Sequence, residues 1–183
     1  MRAGRAGDRL SAVFVDRDGV INVKAPEGEY VTSWSEFTFA PGALAGLRDL
    51  AALSVPVVVV TNQRGIARGQ MTESDLADIH ARMSDAIRTI GGRVDAIHHC
   101  PHEGGCDCRK PAPGMFLRAA AELGLDLARA VVIGDRASDM EAAVSIGARR
   151  VLVGGTGEPM PPVDHFAEDL AGAARWLLDQ RSD

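Results

Sequence analysis

The chain has 183 residues, 46% of them hydrophobic and 25% charged, which are the proportions of an ordinary globular protein long enough for one domain with a real core. A formal net charge of −5 argues against a broad basic surface for nucleic acid, so an anionic ligand has to be met by a few local cations and a metal. No apolar run approaches the roughly 20 residues of a membrane span, and the stretch Met1 to Arg9 lacks the apolar centre of a secretory signal; the expectation is a cytoplasmic monomer with a flexible tail over 1–9 and a single domain over 10–183.

The first element is the apolar run Ala12 to Val15, which leads into Asp16-Arg17-Asp18-Gly19. A β-branched run that breaks at glycine reads as a buried parallel strand, and ligands of open α/β sheets bind beyond the carboxyl ends of such strands. Residues at i and i+2 of an extended segment share a side, so Asp16 and Asp18 can face one substrate, one as nucleophile and the other as proton donor. A plain strand-end turn also uses Asp and Gly. A helix is expected over 41–53, with Pro41 in its first turn. The strand Val57 to Val60 then runs into Thr61-Asn62-Gln63, where a hydroxyl and free backbone N–H groups can cradle a phosphate.

A long helix follows over 73–90, opened by Thr72 with Asp75 three residues on and closed by Gly91-Gly92; His80 on it is expected at the surface. A weaker strand, Val94 to Ile97, leads to His98 and His99, read as packing and solvent contacts. Helices over 114–123, 138–146 and 164–179 alternate with strands Val131 to Ile133 and Val151 to Val153. The fourth strand ends in Gly134-Asp135-Arg136-Ala137-Ser138-Asp139, a further carboxylate beside glycine, with Asp139 able both to cap the next helix and to serve that site. Strands alternating with helices predict an α/β fold with a doubly wound parallel sheet of Rossmann-like type.

All three cysteines, Cys100, Cys106 and Cys108, share one short window with His102. An odd count without an export signal argues against disulfides. The spacing C-x-H-x₃-C-x-C supplies a Cys₃His set suited to tetrahedral Zn²⁺, and four protein ligands leave no open position, so the zinc is expected to be structural. Three reduced thiols and a loop histidine are the bland reading. Arg109-Lys110 follow directly, before a proline-flanked helix start, and the zinc clasp would aim them at the site.

In order, Asp-x-Asp, a strand-end Thr, a Lys before a helix, and Gly-Asp with a further Asp resemble the four motifs of the haloacid dehalogenase superfamily of phosphotransferases. The resemblance implies that Asp16 attacks phosphorus to form an aspartyl-phosphate, while Asp18 protonates the leaving oxygen and later activates water. Thr61 and Lys110 would stabilise the transferring group, and Asp16, the Asp18 carbonyl and Asp135 would hold Mg²⁺. Oxygen ligands with room for water and phosphate suit that ion, and crowding of like charges favours one protonated carboxyl, expected to be Asp18. The spans between Asp18, Thr61 and Lys110 are too short for a large cap domain, so the fold is expected to be capless, with the segment Lys24 to Tyr30 and the cysteine loop at an open mouth.

Within the superfamily, the C-x-H…C-x-C-R-K-P insertion resembles zinc-bearing phosphatases of the D-glycero-D-manno-heptose 1,7-bisphosphate 7-phosphatase and histidinol-phosphate phosphatase families, the heptose family more closely. That resemblance implies a sugar bisphosphate substrate cleaved at C7 in nucleotide-activated heptose biosynthesis, with Arg109 and Arg136 contacting it; Asn62 and Gln63 of the strand-end cradle and Tyr30 of the mouth segment are expected to bind it as well. Cations of Gly65-Ile66-Ala67-Arg68-Gly69 would add to the mouth. The zinc loop is shorter, and the segment from Val23 to Tyr30 longer, than the family pattern. A histidinol-phosphate phosphatase, a general sugar phosphatase, and a catalytically silent zinc-loop binding module remain alternatives.

Overall fold

A computed structural model describes residues 9–155, 157 and 159–180. The flexible tail expected over 1–9 falls, except for Arg9, outside the described residues. The chain forms β1 (Ala12–Val15), α1 (Ala43–Ala51), β2 (Val57–Asn62), α2 (Glu73–Thr89), β3 (Ala96–Cys100), α3 (Gly114–Leu123), β4 (Ala130–Gly134), α4 (Ala137–Ser145), β5 (Arg149–Val153), β6 (His165–Ala167) and α5 (Leu170–Asp179), with short 3-10 turns at Trp34–Glu36 and Leu127–Arg129.

The six strands make one sheet in the order β3-β2-β1-β4-β5-β6, every neighbouring pair parallel. Alternate strand residues separate to two cores, as the period of two requires. Val13, Val15, Val57, Val59, Val131 and Ile133 face α1, α2 and α5 through Leu47, Ile79, Met83 and Leu170. Phe14, Val58, Val60 and Val132 face α3 and α4 through Met115, Phe116 and Ala142. With both faces covered, the central strands β1 and β4 are apolar throughout. The strand order reverses between β1 and β4, and a crevice for ligands opens at the carboxyl ends there.

The expected helices and strands form with shifts of a few residues at their ends, with two differences. The segment from Asp164, expected to be helical throughout, first forms β6, which pairs with β5 at Val151↔His165 through Val153↔Ala167; the helix starts only after Asp169, whose side chain accepts from Gly172 N–H at 2.7 Å. Pro41 does not sit in the first turn of α1, which starts at Ala43 after Gly42 in the left-handed region. The Thr72–Asp75 capping box forms as expected. Between β1 and β2 the described chain carries only loops, a 3-10 turn and α1, so no cap domain stands over the crevice. No helix among the described residues is long and apolar enough to cross a membrane.

Candidate active site

The β1–β4 pairing, Val15 against Ile133, carries Asp16 and Asp135 to neighbouring positions past the strand ends. Gly19, at φ +96°, and Gly134 let them close up: a Cβ on Gly19 would collide with the Asp135 carboxylate, and one on Gly134 with the side chain of Asp139. Asp16, Asp135 and Asp139 thus bring carboxylate oxygens within 4.8 Å of one another, all three buried.

Lys110 enters this acidic cluster from the loop before α3. Its buried ammonium donates to Asp16 Oδ1 at 2.8 Å and the Val60 carbonyl at 2.9 Å, and pairs with Asp139 Oδ1 at 2.6 Å. Its backbone is fixed by Asn62, whose Oδ1 accepts from Lys110 N–H at 3.0 Å and whose Nδ2 donates to the Lys110 carbonyl at 3.1 Å. Burial opposes the Lys110 charge, but the two carboxylates outweigh it and hold the ammonium protonated. Asp16 is pushed up to about 8 by burial first, against the pull of Lys110, with Asp139 and Asp135 adding like-charge repulsion.

Asp135 is also raised, mainly by burial, and its Oδ2 is ion-paired to Lys24, while Oδ1 is buried with no hydrogen-bond partner among the described residues. Three carboxylates of oxygen donors and an orphaned buried oxygen fit a hard divalent cation. Asp139, which the sequence offered to the site without a place among the magnesium ligands, joins the carboxylates that could hold a metal ion. Its capping role, with Oδ2 accepting from Arg136 N–H at 3.1 Å, was legible; its approach to Asp16 depends on the bend at Gly134.

Asp18 lines the same cleft as Asp16, but its carboxylate is held apart from the cluster. Oδ1 accepts from Arg17 Nη2 at 2.8 Å and Asn22 Nδ2 at 3.0 Å; Oδ2 accepts from Gln63 Nε2 at 2.7 Å and lies 3.4 Å from Thr61 Oγ1. Burial raises its pKa, yet the Arg17 charge and the hydrogen bonds from Arg17, Asn22 and Gln63 prevail and lower it. While only the chain's own charges act, Asp18, expected to be the protonated carboxyl, is thus held towards its ionised form, and the carboxyl pushed upward is that of Asp16. His80 departs from expectation too: it is buried on α2 and meets Arg17.

The cleft above these groups has a volume of about 510 Å³. Thr61, Asn62, Gln63, Arg109, Arg136 and Tyr30 all line it, as does the segment Lys24 to Tyr30. Arg64, unremarked in the sequence, also lines it, its Nε donating to Tyr30 Oη at 2.9 Å. Arg68 does not: it pairs with Glu103 at 2.8 Å and ties the loop after β2 to the cysteine loop.

In that loop Cys100 Sγ, His102 Nδ1, Cys106 Sγ and Cys108 Sγ lie within 4.8 Å of one another, and the three cysteines are free of disulfides. Cys108 Sγ is 2.8 Å from Cys100 Sγ and 3.2 Å from His102 Nδ1. The Cys100 carbonyl accepts from Gln63 N–H at 2.8 Å, and Gly114 N–H donates to the Asp107 carbonyl at 2.7 Å, so the loop is anchored just past β2 at its start and to the first residue of α3 just before Arg109 and Lys110. Three sulfurs and an imidazole nitrogen so placed form a possible metal site.

The chain matches the HAD-hydrolase-like family over residues 107–173. It is 36% identical to a D-glycero-β-D-manno-heptose-1,7-bisphosphate 7-phosphatase of Escherichia coli K12, over 95% of this chain and 91% of the relative. The chain belongs to this heptose bisphosphate phosphatase family. A family member from Rhodopseudomonas palustris is 42% identical over 76% of this chain and 81% of its own length. The crystal structure of D,D-heptose 1,7-bisphosphate phosphatase from B. bronchiseptica, complexed with magnesium and phosphate, superposes with a TM-score of 0.86 at 36% identity, covering 93% of this chain and 99% of that one.

Proposed function

We propose that this chain removes the C7 phosphate of D-glycero-D-manno-heptose 1,7-bisphosphate, as a cytoplasmic monomer, through an aspartyl-phosphate on Asp16. The observation that carries this reading is the meeting of Asp16, Lys110, Asp135 and Asp139 at the strand-order reversal, in a chain 36% identical to heptose bisphosphate phosphatases along nearly its whole length.

An oxygen of Asp16 forms a bond to phosphorus as the bond from phosphorus to the C7 oxygen breaks, and Asp18 gives that oxygen its proton. Water then bonds to phosphorus, losing its proton to Asp18, and the Asp16–phosphorus bond breaks to release inorganic phosphate. Asp18 is ionised when only Arg17, Asn22 and Gln63 face it; a docked phosphate dianion adds negative charge beside it and favours the protonated acid. Lys110 and Thr61 neutralise and orient the transferring oxygens. Asp16, Asp135, Asp139 and the Asp18 carbonyl would hold Mg²⁺, which supplies charge neutralisation at the phosphoryl oxygens. Cys100, His102, Cys106 and Cys108 would hold a structural Zn²⁺ that fixes the Arg109–Lys110 segment.

Arg64, Arg109 and Arg136 face the open cleft and meet the phosphate that is not cleaved, which favours a bisphosphate over a singly phosphorylated substrate. A side-by-side assay of the heptose bisphosphate and histidinol phosphate tests this. The bisphosphate should have the higher kcat/KM and leave a heptose 1-phosphate, and Arg109→Ala should narrow the gap. Equal or better kcat/KM on histidinol phosphate overturns the substrate assignment.

A further inference from the structure

Arg17 is only 1% exposed, and its guanidinium lies between two groups. Nη2 donates to Asp18 Oδ1 at 2.8 Å, and Nη1 meets His80 Nε2 at 3.4 Å. Its Nε is buried without a partner among the described residues. A guanidinium only donates, so the contact is favourable when His80 Nε2 is the unprotonated, accepting nitrogen of a neutral ring. His80 reaches this position from the buried face of α2, which also carries Leu76, Ile79 and Met83. The ring of His99, itself 2.8 Å from Glu73, stands behind it at a centroid separation of 6.1 Å.

We infer that His80 is a positioning residue for phosphoryl transfer, fixing the Asp18 carboxylate through the side chain of Arg17. Held by one carboxylate alone, a buried guanidinium can pivot about that ion pair. A second acceptor on its far side sets the plane of the fork. The fork in turn decides which Asp18 oxygen is turned to Arg17 and Asn22, and which to Gln63 and Thr61. A carboxylate that must give and then take a proton at one point in space depends on that setting, because small misplacements of a reacting group cost large factors in rate. The inference rests on the reading of Asp18 as proton donor and acceptor.

Two phosphate esters separate this role from a merely structural one. The heptose bisphosphate has an alkoxide leaving group that needs the Asp18 proton, whereas 4-nitrophenyl phosphate departs as a stable phenolate and needs Asp18 only for the second step. His80→Leu should lower kcat on the heptose bisphosphate about tenfold or more with KM within about twofold. On 4-nitrophenyl phosphate it should release a burst of one nitrophenolate per enzyme followed by slow turnover. His80→Gln, which restores an acceptor, should recover most of the rate. His80→Asn, polar but shorter, should behave like the Leu variant and carries the comparison if the Leu variant does not fold. An unchanged kcat in the Leu and Asn variants, an equal loss of the burst and the steady rate, or a Gln variant as slow as Asn overturns the inference. A native enzyme that hydrolyses neither ester overturns the phosphatase reading beneath it.

Discussion

Lys110 and Asp139 are joined at 2.6 Å in an ion pair whose side chains are 2% and 3% exposed, and the same ammonium reaches Asp16 at 2.8 Å. The charge of a buried lysine is sustained by two acids at once, and the nucleophile is oriented by a cation that a third residue holds in place. Asp139→Asn tests this triangle. Asn offers one acceptor oxygen for the two donors that Asp139 meets, Lys110 Nζ and Arg136 N–H, so the melting temperature should fall and the comparison is made well below it, where the variant is folded. Magnesium affinity by calorimetry should fall about tenfold or more, with kcat falling alongside. Unaltered affinity would remove Asp139 from the cation site.

The cysteine loop should carry about one tightly held zinc per chain, measured by elemental analysis of protein purified without chelator. Cys106→Ser should lose it and loosen Arg109 and Lys110, seen as faster proteolysis and a lower kcat. Zinc-free native protein of full stability would end the structural-zinc reading.

Lys24 is ion-paired with Asp135, the acid whose other oxygen has no hydrogen-bond partner among the described residues. Its ammonium competes with a divalent cation for the same carboxylate. Lys24→Met should therefore raise magnesium affinity severalfold in a direct titration; unchanged or weaker binding contradicts the competition.

His80 is held down to about 3, by burial first and then by the charges of Arg17 and His99, with Asp18 opposing. The unfolded chain takes up a proton near the ordinary value of about 6.5 while the folded chain does not, so stability is full above that pH and is lost progressively from about 6.5 towards 3. At pH 5 the loss is about 2 kcal/mol. Chemical denaturation at pH 7 and pH 5 should show it, and His80→Gln should flatten the difference.

The sequence carried the sheet and most of the site because both obey local rules. β-branched runs marked five strands, and the polar residues at their ends marked the crevice. β6 escaped because His165-Phe166-Ala167 has no pattern of its own and becomes a strand only by pairing with β5. Asp164 and Asp169 are equally plausible helix caps in sequence, and that pairing decides between them. His80 was misplaced although the spacing of Leu76, Ile79, His80 and Met83 put it on the buried stripe of α2; residue type outweighed period. The orientation of Asp18 was illegible because Arg17, Asn22 and Gln63 converge on it only in three dimensions.

β1 lies beside β4 in the sheet although most of the chain runs between them. Closing so long a loop costs chain entropy that nearer pairings do not, so this pairing is expected among the later events of folding. During synthesis the nucleophile emerges early, but the acids and the loop lysine that make it reactive emerge far behind it. An incomplete chain, or a folding intermediate with only its first three strands assembled, therefore bears Asp16 as an inert carboxylate. Phosphate release is in this protein a report that the last half of the sheet has docked, and recovery of activity after denaturation should lag behind the return of secondary structure.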